Sequence, residues 1–225
     1  MAQVDGFTQM IDDSTAFFAE LAQNNRKDWF DPRKDHYTQA IKKPAELFSE
    51  LMAEELTKLL GRSMKGKIFR IYRDVRFSKD KTPYNTHLHI LWSGTGDGPF
   101  NPGVFFAADT DGLWVGYGLP GLKGDALAQF RAFIDAEGAA LAEALAATGM
   151  TLSTWGPEPL KRVPAPYPPD HPQADLLKRK NLVIGAPLAS DWRDHSNGLI
   201  GAVLDAVRVT LPLDRLFVRH LMEGA

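Results

Sequence analysis

The sequence predicts an α+β fold in one domain, an antiparallel β-meander packed by N-terminal, middle and C-terminal helices. Three observations predict it. Apolar residues recur at helical spacing up to Gly61, short aromatic and branched segments follow between Ile68 and Gly118, and helical spacing returns from Gly124 and again from Gly198. The short segments are joined by connections too brief for parallel crossovers, so neighbours run antiparallel. A chain of 225 residues, 44% hydrophobic and 24% charged, has enough apolar material for one sizeable core and is unlike a disordered or fibrous chain.

In order, Asp13 or Ser14 can cap a first helix running to Ala22, with Phe17, Phe18 and Leu21 as its apolar stripe and Asn24-Asn25 as its stop. A second helix is expected from Asp31 to Ile41, with Pro32 in its first turn, where a missing N–H costs least. A third runs from Pro44 to Leu60, with Leu47, Phe48, Leu51, Leu56 and Leu59 in phase and Gly61 as its end. Strands are expected at Ile68–Phe77, His87–Trp92, Gly103–Ala108 and Leu113–Gly118, the last two joined by a hairpin turn at Asp109-Thr110-Asp111-Gly112. Gly124–Ala147 reads as helix, broken at Gly138. The run 157–172 holds seven prolines and reads as an extended segment lying against the domain. Leu182-Val183-Ile184 can add a strand, and Gly198–Val209 and Leu213–Leu221 form terminal helices separated by Pro212. The five tryptophans are assigned to the core.

Composition excludes several classes of function. Without cysteine there is no disulfide, thiol nucleophile or thiolate metal site. No window approaches the roughly 18 apolar residues of a membrane span, so no membrane association is expected. The start Met1-Ala2-Gln3-Val4-Asp5 lacks the basic and apolar regions of a signal peptide, and a cytoplasmic location is the expectation. A net charge of −2 is no general attractor for nucleic acid, which is not expected as a partner. The distribution says more. Residues 65 to 81 carry seven bases against two acids, a balance of +5 that leaves −7 for the remainder. A basic segment in an acidic protein suggests a confined anion site.

That segment contains Phe69-Arg-Ile-Tyr-Arg-Asp-Val-Arg-Phe-Ser-Lys-Asp-Lys-Thr-Pro-Tyr84. As a strand, it sends Arg70, Tyr72, Asp74, Arg76 and Ser78 to one face, and Phe69, Ile71, Val75 and Phe77 to the other, with Arg73 among the apolar set. Guanidinium forks suit planar oxyanions, so Arg70, Arg73, Arg76 and Lys81, with Tyr84, are candidate ligands for a phosphate or carboxylate. Asp74 is the candidate general base or metal ligand. The competing account is structural, with Asp74 and Asp80 pairing with these bases in an ordinary network.

The pattern Arg70-x-x-Arg73-Asp74-x-Arg76-Phe77-x-x-x-Lys81-x-Pro83-Tyr84 resembles the signature of a bacterial family of conserved hypothetical proteins, a domain of unknown function close to this chain in length. Asn24-Asn25-Arg26-x-x-Trp29-Phe30 and Leu160-Lys161-Arg162-x-Pro164 are similar to further family segments. The resemblance implies that these residues matter together and brings no activity or cofactor with it.

Weaker patterns read as structure. His87 and His89 share one strand face, a spacing found in metal sites, but no third ligand is evident nearby except Asp97. Ser93-Gly-Thr-Gly-Asp-Gly-Pro99 lacks the Gly-Lys-Ser/Thr ending of a phosphate loop and reads as a connector, and no Gly-x-Ser-x-Gly elbow occurs. Three functions follow in order. The first is binding of a small anionic ligand, with or without catalysis. The second is a structural or interaction role for the arginines, and the last is nucleic-acid binding through bases interleaved with Tyr72, Phe77 and Tyr84.

Overall fold

Residues 6–223 are described by the structure, a computed structural model. The segment Met1 to Asp5, read above for targeting signals, lies outside them. The first helix, α1 (Gly6–Gln23), begins earlier than the capping residues suggest. Ser14 is interior to it, buried, with its hydroxyl turned back to donate to the Met10 carbonyl at 2.7 Å. Apolar Met10 and Ile11 extend the stripe of Phe17, Phe18 and Leu21 by two turns, and their burial carries the helix past the local cap signal.

The second and third expected helices are one helical run. It comprises α2 (Lys27–Phe30), a 3₁₀ turn at Asp31–Arg33, α3 (Lys34–His36), a π-helical stretch at Tyr37–Lys42 and α4 (Lys43–Leu60). Pro44 does not start a new helix. It has no N–H for the carbonyl four residues back, and the chain widens there, so that Lys43 N–H donates to the Thr38 carbonyl. The run ends where expected, at Gly61 in the left-handed conformation, φ 67°.

Strands β1 (Met64–Ile68), β2 (Leu88–Gly94), β3 (Gly103–Asp109), β4 (Gly112–Leu119), β5 (Thr151–Leu152) and β6 (Leu182–Pro187) form an antiparallel sheet in the order β1-β2-β3-β4-β6-β5. Strands β2 to β4 are the expected ones, β1 lies ahead of the expected Ile68–Phe77, and the fold is α+β. β5 pairs with β6 with Thr151 opposite Gly185. Gly118, φ 144°, lets β4 close on β6, since a Cβ would lie 1.9 Å from the Leu182 carbonyl oxygen. Helix α5 (Gly124–Ala147) kinks at Glu137, beside the glycine expected to break it. The proline-rich run is irregular, and a single helical turn, α6 (Ala174–Leu177), follows it. The terminal helices are α7 (Gly198–Arg208) and α8 (Leu211–Phe217), with Pro212 in the first turn of α8.

The chain divides into two compact units. One comprises the chain up to Trp92 with Phe105–Val115 and Pro187–Asp205; the other comprises Ser93–Val104, Gly116–Ala186 and the chain from Ala206. In the first, Phe48 packs between Trp92 (ring centroids 6.0 Å apart) and Phe106 (5.4 Å), and the Trp92 indole donates to the Ser49 carbonyl at 2.9 Å. In the second, buried Tyr117 and Asp214 hydrogen-bond to each other, and the Tyr117 ring stacks on Phe217 with centroids 6.2 Å apart. The tryptophan assignment needs correction. Trp29, Trp92 and Trp192 are buried, whereas Trp114 and Trp155 are exposed.

Candidate functional site

The expected strand Ile68–Phe77 does not form. β1 ends at Ile68, and after Phe69 N–H donates to the His89 carbonyl at 2.9 Å the chain leaves the sheet. It then pairs with itself. Tyr72 bridges Tyr84, Arg73 N–H donates to the Pro83 carbonyl at 2.9 Å, and Asn85 N–H to the Ile71 carbonyl at 2.7 Å. The two arms of the loop satisfy each other's main chain, so the alternation in the sequence is spent on a local pairing. Ile71 is buried as expected. Phe77, expected on the core side, is 96% exposed at the tip.

Most of the signature's charges serve this loop. Arg73, its side chain 26% exposed, donates to Asp80 at 2.6 Å, to the Thr82 carbonyl at 3.1 Å and to the Thr82 hydroxyl. Main-chain N–H donation from Thr82, then Arg73, pushes the Asp80 carboxyl down to about 2. Arg76 forms a two-pronged pair with Asp74, Nε to Oδ1 at 2.9 Å and Nη2 to Oδ2 at 2.6 Å. That pairing lowers the pKa of Asp74, which leaves it a weak proton acceptor. Lys81 donates to the Val75 carbonyl at 2.9 Å. Tyr84 is buried and stacks on Phe30 with centroids 4.3 Å apart. Its main chain is clamped by the Asn25 amide, which donates to Tyr84 O at 2.8 Å and accepts from Tyr84 N–H at 3.0 Å. The Asn24–Phe30 segment and the signature, far apart in sequence, therefore meet in space.

Arg70 differs. Its side chain forms no hydrogen bond or ion pair among the described residues, acting on Asp74 only through its charge, and Arg70 lines a cleft of about 500 Å³. Phe69, Ile71, Tyr72, Gly66 and Ile68 form the wall on its side, and Phe30, Lys34, Tyr37, Thr38, Lys42, Glu46, Ser49 and Glu50 the helical wall. Tyr37 is only 8% exposed, its ring held by Phe17 at 5.6 Å and Phe30 at 5.7 Å, yet its hydroxyl bonds to nothing among the described residues. Burial first, then Tyr72 and Glu46, push its pKa up to about 12. It therefore keeps its proton and remains a donor at neutral pH. Three cleft residues, Tyr37, Thr38 and Lys42, belong to the π-helical stretch, a distortion that recurs at functional sites.

The histidine pair lies elsewhere in the first unit. His87 and His89 stack with centroids 3.7 Å apart. Burial, then the neighbouring His87, lowers His89 to about 4, and burial lowers His87 as well. Among the described residues, no three His, Asp or Glu side chains gather as a metal site would require. Among the described residues, no helix is long and apolar enough to cross a membrane.

Sequence reasoning missed the helical wall. The signal was present, because Lys34, Thr38, Lys42, Glu46 and Glu50 recur every fourth residue. In a regular α-helix each step of four overshoots a full turn by about 40°, so such a stripe winds off one face. The π turn lags and holds it nearer the cleft. The width of that turn was not readable from residue spacing.

A family profile described as "Conserved hypothetical protein (DUF2461)" matches residues 13–215. No curated protein and no solved structure matches the chain significantly.

Proposed function

The chain belongs to this conserved hypothetical family, and from that premise we propose that it binds a small phosphate- or carboxylate-bearing ligand in the cleft beside Arg70. The supporting observation is the one signature arginine whose side chain has no hydrogen bond or ion pair among the described residues, lining a concavity together with Tyr37, a buried ring whose hydroxyl bonds to none of them. A free guanidinium offers paired donors to a planar oxyanion, and Tyr37 adds a donor already fixed by packing. Lys34 supplies further positive charge along the same wall. On this reading Arg73, Arg76, Lys81 and Tyr84 shape the loop that presents Arg70, and Asp74 holds Arg76.

The test is anion-dependent thermal stabilisation with phosphate, pyrophosphate and citrate. A ligand at about 100 times its Kd adds about 2.7 kcal/mol, a rise in Tm of roughly 5–10 °C for a chain of this size. Arg70→Ala is expected to weaken binding about 10- to 100-fold, the loss of one charge-assisted contact. Phe77→Ala, at the exposed tip of the loop, should retain the shift. If no anion stabilises the wild type, or if Arg70→Ala leaves the shift intact, the reading fails.

A second reading is favoured by the pairs Arg73–Asp80 and Arg76–Asp74. There the arginine cluster is architectural, and its substitution loosens the loop without touching any ligand.

A further inference from the structure

The helical wall of the cleft changes sign along its length. Lys34 and Lys42 come first, Glu46 and Glu50 after. Helix stability does not account for this order, because a lysine four residues before a glutamate is the weaker orientation of such a pair. The pair is also loosely made. Lys42 Nζ stands 3.6 Å from Glu46 Oε1, beyond the roughly 2.7–2.9 Å of a charge-assisted hydrogen bond, with both side chains about half exposed. Glu50 has no hydrogen bond or ion pair among the described residues and lines the same cleft.

The opposite wall fixes where Arg70 stands along this gradient. Met64 N–H donates to the Thr57 hydroxyl, Gly66 lies against Ser49, and Tyr72 packs on Phe30 with centroids 6.0 Å apart. Chain order on this wall therefore runs opposite to the helix. Arg70, between Gly66 and Tyr72, falls abreast of the stretch between Phe30 and Ser49 that carries Lys34, Lys42 and Glu46. The free carboxylate of Glu50 lies past it, next to Ser49 at the Gly66 end. From Lys42 to Glu46 and Glu50 is one or two helical turns, an axial rise of about 6–12 Å.

We infer that the ligand is amphoteric, an anionic group for Arg70 joined to an ammonium group for Glu46 and Glu50. The inference rests on the anion reading above and adds the second charge. A purely anionic ligand would meet a repulsive carboxylate at one end of the cleft, whereas a ligand with an amine turns that repulsion into an attraction. Glu46 can exchange its distant lysine for the ligand's ammonium.

Two pairs of probes that differ in the amine test it by calorimetry: phosphoethanolamine against ethyl phosphate, and 6-aminohexanoate against hexanoate, whose charges lie farther apart. The wild type is expected to bind the amine-bearing member of at least one pair about tenfold tighter or more. The double change Glu46→Gln with Glu50→Gln should erase that preference while keeping affinity for ethyl phosphate, and Arg70→Ala should weaken every probe. Equal affinity within both pairs overturns the amphoteric ligand and leaves the anion reading standing. A preference that survives in the double glutamine variant also overturns it. Failure of all four probes to bind overturns both.

Discussion

At Gly66 the absent side chain does the positioning. A Cβ there would lie 2.0 Å from Ser49 Oγ and 2.9 Å from the Trp92 indole nitrogen, which is tied to the Ser49 carbonyl. Gly66→Ala must push β1 off α4 or turn buried Ser49, and both distort the cleft. Such overpacking costs about 1–3 kcal/mol, which should appear as a lower urea midpoint at unchanged m-value. Arg70 and Arg73, three residues apart, show how residue type alone underdetermines role. Arg73 binds Asp80 and Thr82 and is three-quarters covered, whereas Arg70 lines the cleft with no side-chain hydrogen bond or ion pair among the described residues.

Among the elements, the loop after β1 carries the largest departure from expectation. Its sequence alternates like a strand, but the alternation serves a short pairing centred on Tyr72 and Tyr84. Beyond that bridge, side chains take over from the main-chain ladder: Arg76 on Asp74, Arg73 on Asp80, Lys81 on the Val75 carbonyl. The tip is consequently indifferent to its own aromatic residue. Phe77→Ala is expected to change stability by less than about 0.5 kcal/mol, whereas Phe30→Ala, which removes the ring under Tyr84, should cost about 3–5 kcal/mol. Parallel urea titrations check both, and a large loss from the Phe77 variant would mean that the tip is packed in solution. The helical run from Lys27 to Leu60 shows the converse. Here the spacing of apolar residues was legible, while the π turn before Pro44 required the carbonyl accounting of the folded chain.

For the whole molecule, His89 and Asp80 carry the largest shifts among the groups that respond to acid, beside smaller ones at His87, Asp74 and Asp175. Burial holds His89 at about 4 against an ordinary 6.5, so the fold favours its neutral ring and the unfolded chain takes up protons first. The share of stability that His89 contributes is therefore full above about pH 6.5 and declines as the pH falls towards 4. Asp80 acts lower, its carboxylate favoured by the fold, with its share lost between the ordinary 3.8 and about 2. Urea midpoints measured from pH 7 to 4 should fall, and His89→Leu should flatten that decline; an unchanged profile in the variant would remove His89 as its cause. The sequence alone determined the α+β class, strands β2 to β4 of the meander, the glycine stop at Gly61 and the break beside Gly138, because these follow from local periodicity and backbone preference. It also located the charged segment. Only the tertiary structure decided which of its charges are spent: pairing depends on which carboxylate and carbonyl the fold brings within about 3 Å, and residue spacing carries no such distance. The same holds for the cleft, whose second wall comes from a helix some thirty residues earlier in the chain.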